Sequence, residues 1–578
     1  MNETIFGTLS TLDQRVDYLR RQSQGVRHDN RLLPTAPGSH EAPQALVTVG
    51  LARRIARVEC VLTEPETAVI PLVPVQTAWD VLNWQYVQSW AAVLPPRPAG
   101  ALVRYQICAY PADGGAPIWA DDGATFSYFV GNPAQPAWAA EAVVYQIFPD
   151  RFYPGHGRTW NPTADLNAIH GGTLRGIIDK LDYIADLGCN CLWINPFFPD
   201  ESHHGYHATD YFSVDPGLGT LEDVRELVDA AHARGIRLLL DFVANHWGSG
   251  HPSFQAALAD RRSPTYDWYK WIEWPEQYET FFGVKDLPQL NVDHPAVRAE
   301  LLRSVRFWLV DVGFDGLRLD YAQGPSRDFW TDLRALIYAV KPTAWVFGEV
   351  VETPTLQRSF EGRFSGCLDF MLAEALRATF AFGRMDLAAF DNFLHLHRQF
   401  FPPAFSRPAF LDNHDMNRFL FLVDGDARKL KLAALCLFTL EGQPVLYNGA
   451  ELGVSQGTAM DNPAGYGMAE CRRPMPWEDG DWELHAYFKW LIHFRRAHPA
   501  LWRGARRTLH LDAQAGTYAY ACSDGRETVY VALNLSAAPQ QVTLPAQAGA
   551  PAHTFDLPPW GGDVHVVERV LGQAGDGR

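Results

Sequence analysis

From Val143 to about Pro499 the chain repeats one pattern: a short apolar run that reads as a buried strand, then a longer stretch of helical period. The runs are Val143–Phe148, Cys191–Ile194, Arg237–Leu240, Gly316–Leu319, Trp345–Phe347, Gly366–Met371, Ala409–Leu411 and Pro444–Tyr447. Such alternation signals βα units and a parallel sheet, and eight units predict a closed barrel. A barrel of this kind carries its active site on the face where the strands end. Three carboxylates stand there. Asp320 directly follows the fourth run, Glu349 follows the fifth after one glycine, and Asp415 follows Phe410-Leu411 after a short turn. Like charges in one cluster split their pKa values, so one group stays protonated while another is ionised. That division of labour suits cleavage of a glycosidic bond.

The barrel does not account for all 578 residues. Ahead of it, Ala45–Val49, Ile55–Leu62, Ala68–Val75 and Leu102–Ala109 are β-branched or alternating runs separated by Pro, Gly and Thr, which predict an antiparallel domain. Leu9, Leu12, Val16 and Leu19 lie at helical spacing and predict a short helix before it. Gly131–Glu141 reads as a linker. After about Pro499, Thr517–Cys522, Thr528–Leu533, Gln541–Leu544 and Val564–Val570 predict a further β domain. The expected fold class is therefore α/β. An N-terminal β-sandwich (1–130) precedes a (β/α)8 TIM barrel (142–498), and a C-terminal β domain (499–578) follows it. The barrel carries an inserted loop domain (246–293) after its third strand. This insert is rich in Trp, Tyr and Phe and lacks a clear period, and so long an excursion from the catalytic face is usually functional. Trp268, Trp271 and Trp274 within it read equally as core or as a sugar platform.

The formal net charge of −17 argues against a nucleic-acid partner or an anionic membrane. No uncharged apolar run is long enough to span a bilayer. The first residues lack the basic and apolar regions of a signal peptide. Eight cysteines are scattered, and the Cys189/Cys191 pair has no second Cys or His pair at ligand spacing, so buried thiols are expected. These features predict a cytoplasmic chain with a neutral ligand.

Four short segments then carry a resemblance. They are Asp241-Phe-Val-Ala-Asn245-His246, Gly313-Phe-Asp-Gly-Leu-Arg318-Leu-Asp320, Gly348-Glu349-Val350 and Phe410-Leu-Asp-Asn413-His414-Asp415. In order and each at a strand end, they resemble the defining regions of the α-amylase family, glycoside hydrolase family 13. Three further segments resemble the cyclomaltodextrinase, neopullulanase and maltogenic amylase group of that family. They are Val143-Val-Tyr-Gln-Ile-Phe-Pro-Asp-Arg-Phe152, Leu287-Pro-Gln-Leu-Asn291 and Cys471-Arg-Arg-Pro-Met-Pro-Trp477. The N-terminal domain resembles a starch-binding module.

The resemblance implies retaining hydrolysis of α-glucans: maltooligosaccharides, cyclodextrins or pullulan, cut at α-1,4 or α-1,6 bonds. Asp320 would attack the anomeric carbon, Glu349 would act as acid and base, and Asp415 would hold the distorted sugar. Arg318 would keep Asp320 ionised, His246 and His414 would donate to hydroxyls or carboxylates, and Tyr206 in His204-Gly-Tyr-His-Ala-Thr-Asp210 would stack on the sugar. Asp241 and Asn245 read as braces. A homodimer through the N-terminal domain is also implied. Calcium, bound by many members, is not expected: the first loop, Asp150-Arg-Phe-Tyr-Pro-Gly-His-Gly-Arg, carries no further carboxylate before Asp165, and the family's G-G-D is Gly171-Gly172-Thr173. Tyr321-Ala-Gln-Gly324 replaces the group's V-A-N-E after the nucleophile, and Val351-Glu352 replaces an aromatic and a His after the acid. Both changes fall on the aglycone side. An α-glucosidase or transglycosylase of the same family is the competing reading among enzymes, and a glucan-binding protein without catalysis is the competing reading outside them.

Overall fold

The computed structural model describes residues 12–131, 135–200, 202–546 and 552–568. Its centre is a parallel sheet of Val144–Ile147, Cys191–Ile194, Arg237–Val243, Gly316–Asp320, Trp345–Gly348 and Gly366–Cys367, with Val445–Tyr447 on the other side of the first strand. Each neighbour pairs in parallel register, for example Leu240 with Leu317 and Arg318 with Phe347. The ring closes through residues 406–409, which bridge Gly366 at Ser406 and Pro444 at Ala409. Pro408 between them has no N–H to give the ladder, so this seventh position makes single bridges rather than a strand over Ala409–Leu411. The sixth strand is also shorter than Gly366–Met371. Asp369 accepts the backbone N–H of Leu372 and caps a helix, Phe370–Leu376, that begins inside the same apolar run.

Barrel strands are buried on both faces, which is why they read as continuous apolar runs. Trp193, Leu239, Trp345, Phe347 and Phe410 belong to one packed layer, and the helices outside bury Val224, Leu227, Val297, Leu301 and Leu333 against the sheet. The insert is more regular than its composition predicts. It holds a helix, Pro252–Ala259, and a two-stranded hairpin, Trp271–Glu273 with Gln277–Tyr278. His246 is tied to Gln289 by an isolated bridge that folds the insert back over the barrel mouth.

In the N-terminal domain the strands Gln44–Gly50, Ile55–Glu64, Ala68–Asp80, Gln85–Val93 and Leu102–Pro111 are antiparallel. Residues 68–72 pair with 58–62, while 73–80 pair with 85–91. One long strand therefore passes from one sheet to the other and closes a single core that includes Val47, Cys60, Trp90, Tyr105 and Phe126. The helix before it spans Leu12–Arg21 and buries none of its residues; Leu9 lies outside the described residues. Arg104 joins the domain to the barrel helix Arg327–Val340 through Asp328 (2.9 Å) and Asp332. The C-terminal domain is a four-stranded antiparallel sheet with a two-stranded companion, and it gains Ala505–Asp512 and His553–Leu557 over the expected runs. Among the described residues no helix is long and apolar enough to cross a membrane, and all eight cysteines are buried and unpaired.

Candidate active site

The carboxylates meet around one cation. Arg318, fully buried in the fourth barrel strand, places Nη1 2.7 Å from both Asp241 Oδ1 and Asp320 Oδ1, and Nη2 2.7 Å from Glu349 Oε1. Strand pleating explains the geometry. Arg318 and Asp320 are two residues apart and face the same way, while parallel register sets Arg318 beside Asp241 on one flank and Phe347 on the other. Gly348 then lets the chain turn Glu349 inward, because a Cβ there would lie 2.8 Å from the Phe364 ring. The Tyr321 backbone N–H donates to Glu349 Oε2 at 3.0 Å. Tyr321 holds a left-handed φ of 38°, and its ring packs against Phe281 and Phe282 of the insert.

Asp415 has separate partners. Arg472 Nη2 reaches its Oδ1 at 2.6 Å, and His414 Nε2 reaches its Oδ2 at 3.0 Å. Gln146 Nε2 lies 2.7 Å from His414 Nδ1, and His414 Nε2 faces Asp415 and Tyr206. Tyr206 stacks on His414 with ring centroids 5.6 Å apart, and its hydroxyl donates to Asp241 Oδ2 at 3.0 Å. The loop that carries Tyr206 is held by Asp200, whose Oδ2 accepts the His207 N–H. It turns at Gly205, where φ is 77° and a Cβ would sit 2.2 Å from the Pro196 carbonyl oxygen.

Burial pushes Asp320 well above the usual carboxylate range and raises Glu349 as well, while Arg318 pulls both down. Glu349 adds to the rise of Asp320, and Asp415 adds to the rise of Glu349. Two carboxylates on one guanidinium therefore titrate as a pair. Burial also acts on Asp415, but His414, Arg472 and Arg318 outweigh it and hold that carboxyl well below its ordinary value. Burial lowers His246 to about 3, so its ring is neutral. Asn245 Nδ2 lies 3.2 Å from its Nδ1. Its Nε2 makes no hydrogen bond of normal geometry.

A cleft of about 690 Å³ opens over these groups, lined by Tyr206, His246, Asp320, Glu349 and Asp415 together with Phe281 and Arg472. Asp320, Glu349 and Asp415 are 7%, 9% and 8% exposed, so each presents only an edge to it. Of the expected contact residues, Arg318 and His414 are fully buried behind this surface and act on the carboxylates and Tyr206 rather than lining the cleft. Asp241 sits behind it too, bonded by Arg318, Tyr206 and the Trp193 indole. Trp271 and Trp274 pack within the insert, on Phe254 and on the Ala257 carbonyl, and Trp268 lies against Trp247. None of the three lines the cleft; the insert contributes Phe281, Val284 and Leu287 instead. Sequence reasoning gave no role to Arg472, nor to Gln146, nor to Asn195, whose Nδ2 donates to the Tyr206 hydroxyl at 2.8 Å and to Asp241 Oδ2 at 3.2 Å. The last two were visible as polar residues within or just after apolar strands, whereas Arg472 lay in the Cys471–Trp477 segment with nothing in it to show that Asp415 was its partner.

A parallel barrel with paired carboxylates at its C-terminal face, one cation shared between two of them and a third held ionised, is the architecture of a glycoside-cleaving enzyme. Residues 146–496 match the alpha amylase catalytic domain, and the chain belongs to that family of glycoside hydrolases. Alpha-amylase 2 of Dictyoglomus thermophilum is 38% identical over 377 residues, which cover 65% of this chain and 66% of that relative. A cyclomaltodextrinase of Geobacillus thermopakistaniensis is 34% identical over 473 residues, covering 75% and 78% of the two chains. Among solved structures, a cyclomaltodextrinase superposes with a TM-score of 0.68 at 28% identity, over 91% of this chain and 93% of that one.

Proposed function

We propose that the chain is a retaining α-glucan hydrolase acting on maltooligosaccharides, cyclodextrins or pullulan. The observation that carries the mechanism is the Arg318 guanidinium, which contacts Asp320 and Glu349 through its two terminal nitrogens, each at 2.7 Å. One cation shared in this way keeps the two carboxyls close, as a nucleophile and its acid partner must be, at about 5–5.5 Å in retaining enzymes. It also leaves the pair short of positive charge, and burial raises both carboxyls, which favours a proton held by the pair. Glu349 keeps that proton and delivers it to the leaving oxygen while Asp320 attacks the anomeric carbon. Glu349 then takes a proton from the water that releases the glycosyl enzyme. Asp415, ionised throughout, accepts hydrogen bonds from the sugar hydroxyls. Tyr206 offers the sugar the ring face that His414 does not cover, and His246 Nε2 supplies a neutral donor.

We propose further that the first barrel loop works without calcium. Both Asp150 oxygens accept the His170 N–H at 3.0 Å, the Gly171 N–H reaches one of them at 2.8 Å, and Arg151 Nε lies 3.0 Å from the other. The two backbone donors take lone pairs a hard cation would need, and the Arg151 charge beside them opposes a cation. The proposal extends to a cytoplasmic location, which eight unpaired thiols suit. It also extends to a homodimer through the N-terminal domain, where Trp79, Trp84 and Tyr86 form an exposed aromatic cluster; light scattering decides that point. The substrate is tested by product analysis on maltotriose, pullulan and a cyclodextrin. Cleavage of maltose with both pullulan and cyclodextrin untouched would overturn the assignment in favour of an α-glucosidase.

A further inference from the structure

Two bulky residues beside the acid hold a backbone conformation that L side chains rarely adopt. Tyr321, directly after Asp320, has a φ of 38°, and Phe282 in the insert has a φ of 47° and a ψ of 33°. The left-handed region costs a non-glycine residue energy, and such a residue persists there only where its surroundings hold it. The two strained residues touch. Their ring centroids are 5.3 Å apart at 65°, and Phe281 adds a second edge-to-face contact to Tyr321 at 4.8 Å. Edge-to-face aromatic pairs return an energy of the same order as the strain.

Both sides of this clasp are braced. The Phe281 N–H donates to the Leu287 carbonyl and the Leu287 N–H to the Val284 carbonyl, so the loop that carries Phe282 is tied at its two ends. On the barrel side the Gly324 N–H donates to the Tyr321 carbonyl at 3.0 Å and closes a turn. A Cβ on Gly324 would fall 2.8 Å from Tyr321 Cδ1, so glycine there makes room for the ring. The resulting backbone aims the Tyr321 N–H at Glu349 Oε2, 3.0 Å away, while Arg318 holds Oε1 at 2.7 Å. Each oxygen of the acid thus has a fixed donor, and the donor from Tyr321 depends on a φ that L residues rarely adopt.

We propose that Phe282 is a positioning residue for the acid: its ring, with that of Phe281, holds Tyr321 in the left-handed conformation that aims its N–H at Glu349. This rests on Glu349 as the proton donor. A hydrogen bond to the ionised carboxylate favours that form. Burial and Asp415 raise Glu349, whereas Arg318, the Tyr321 N–H and His414 lower it. Asp320 shares Arg318 and titrates with it, and Glu352 on the following loop acts on the Tyr321 hydroxyl. Releasing Tyr321 removes one lowering influence and leaves the other groups in place, so the alkaline limb of kcat/KM moves up. Water entering the cleft would move it down, because burial is the largest cause of the rise. The direction of movement therefore separates the two effects.

The test is the pH profile of kcat/KM for a chromogenic maltooligosaccharide. Phe282 is 55% exposed, so its removal should leave the fold intact by thermal unfolding. Phe282→Ala should shift the alkaline limb up by about one unit and lower kcat several-fold. Phe282→Tyr keeps a ring and should restore the parent profile. Tyr321→Gly adopts the left-handed φ without strain and keeps the N–H, so its limb should stay where the parent's lies. Adding Phe282→Ala to Tyr321→Gly should then cause no further shift. The proposal is overturned if Phe282→Ala leaves the limb in place or moves it down, or if the double variant shifts as far as Phe282→Ala alone. Glu349→Gln separates this from its premise. Turnover at the parent rate would remove Glu349 as the acid, whereas an inactive Glu349→Gln beside an unmoved limb in Phe282→Ala overturns the positioning role alone.

Discussion

The shared guanidinium makes a strong prediction for Arg318→Lys. A lysine keeps the charge but is a single point, and it cannot set one nitrogen against Asp320 and another against Glu349. A charge-assisted contact is worth about 1.5–3 kcal/mol to the ionised carboxylate that accepts it. Each pKa unit corresponds to 1.36 kcal/mol, so losing one such contact lifts the titration of the pair by about 1–2 units. The sign follows from the site: burial already pushes both carboxyls up and Arg318 is what holds them down. The bell of kcat/KM against pH should therefore move to higher pH by that amount. At the parent optimum, activity should fall by about 10- to 100-fold, the same energy read as a rate. The assay is hydrolysis of a chromogenic maltooligosaccharide across the pH range, with thermal unfolding as a control for intact folding. A bell that stays in place while kcat falls would refute the reasoning, because it would mean Arg318 positions the carboxylates without setting their charge.

Other substitutions probe the remaining parts of the site. Asp320→Asn should abolish turnover yet retain binding of maltotriose by calorimetry; unchanged turnover would remove Asp320 from the reaction. Gly348→Ala would place a Cβ 2.8 Å from the Phe364 ring and 3.0 Å from Ala322 Cβ. It should cost about 1–3 kcal/mol in calorimetric stability and lower kcat through the neighbouring Glu349. Arg472→Met keeps bulk but strands a buried carboxylate, and should cost about 3–5 kcal/mol at neutral pH. Asp415 has a depressed pKa in the folded state, so its stabilising contribution is complete above the ordinary carboxylate value near 4 and is lost as pH falls below it. The gap in urea midpoint between parent and Arg472→Met should accordingly narrow as pH is lowered from 7 towards about 3; a constant gap would assign Arg472 to packing alone.

The barrel was legible because parallel strands covered on both faces leave unbroken apolar runs, and the carboxylates because they end three of those runs. The errors have the same source. Gly366–Met371 is apolar throughout, and nothing in its period separates a strand from a buried helix; the capping role of Asp369 decides it. Gln85–Val93 was missed because Gln85, Gln88 and Ser89 dilute a strand whose inner face needs only Trp90 and its neighbours. The cleft shows a deeper limit. Sequence could place Arg318 beside Asp320, since two residues along a strand share a face, but it could not see that residues 467–477 fold across the mouth and bring Arg472 to Asp415. The roles of the three carboxylates depend on this second arginine as much as on the first. With His414 it keeps Asp415 ionised, and that fixed negative charge is one of the terms that raise Glu349. Glu349 can therefore serve as the acid partly because a residue far from it in sequence prevents Asp415 from taking up a proton.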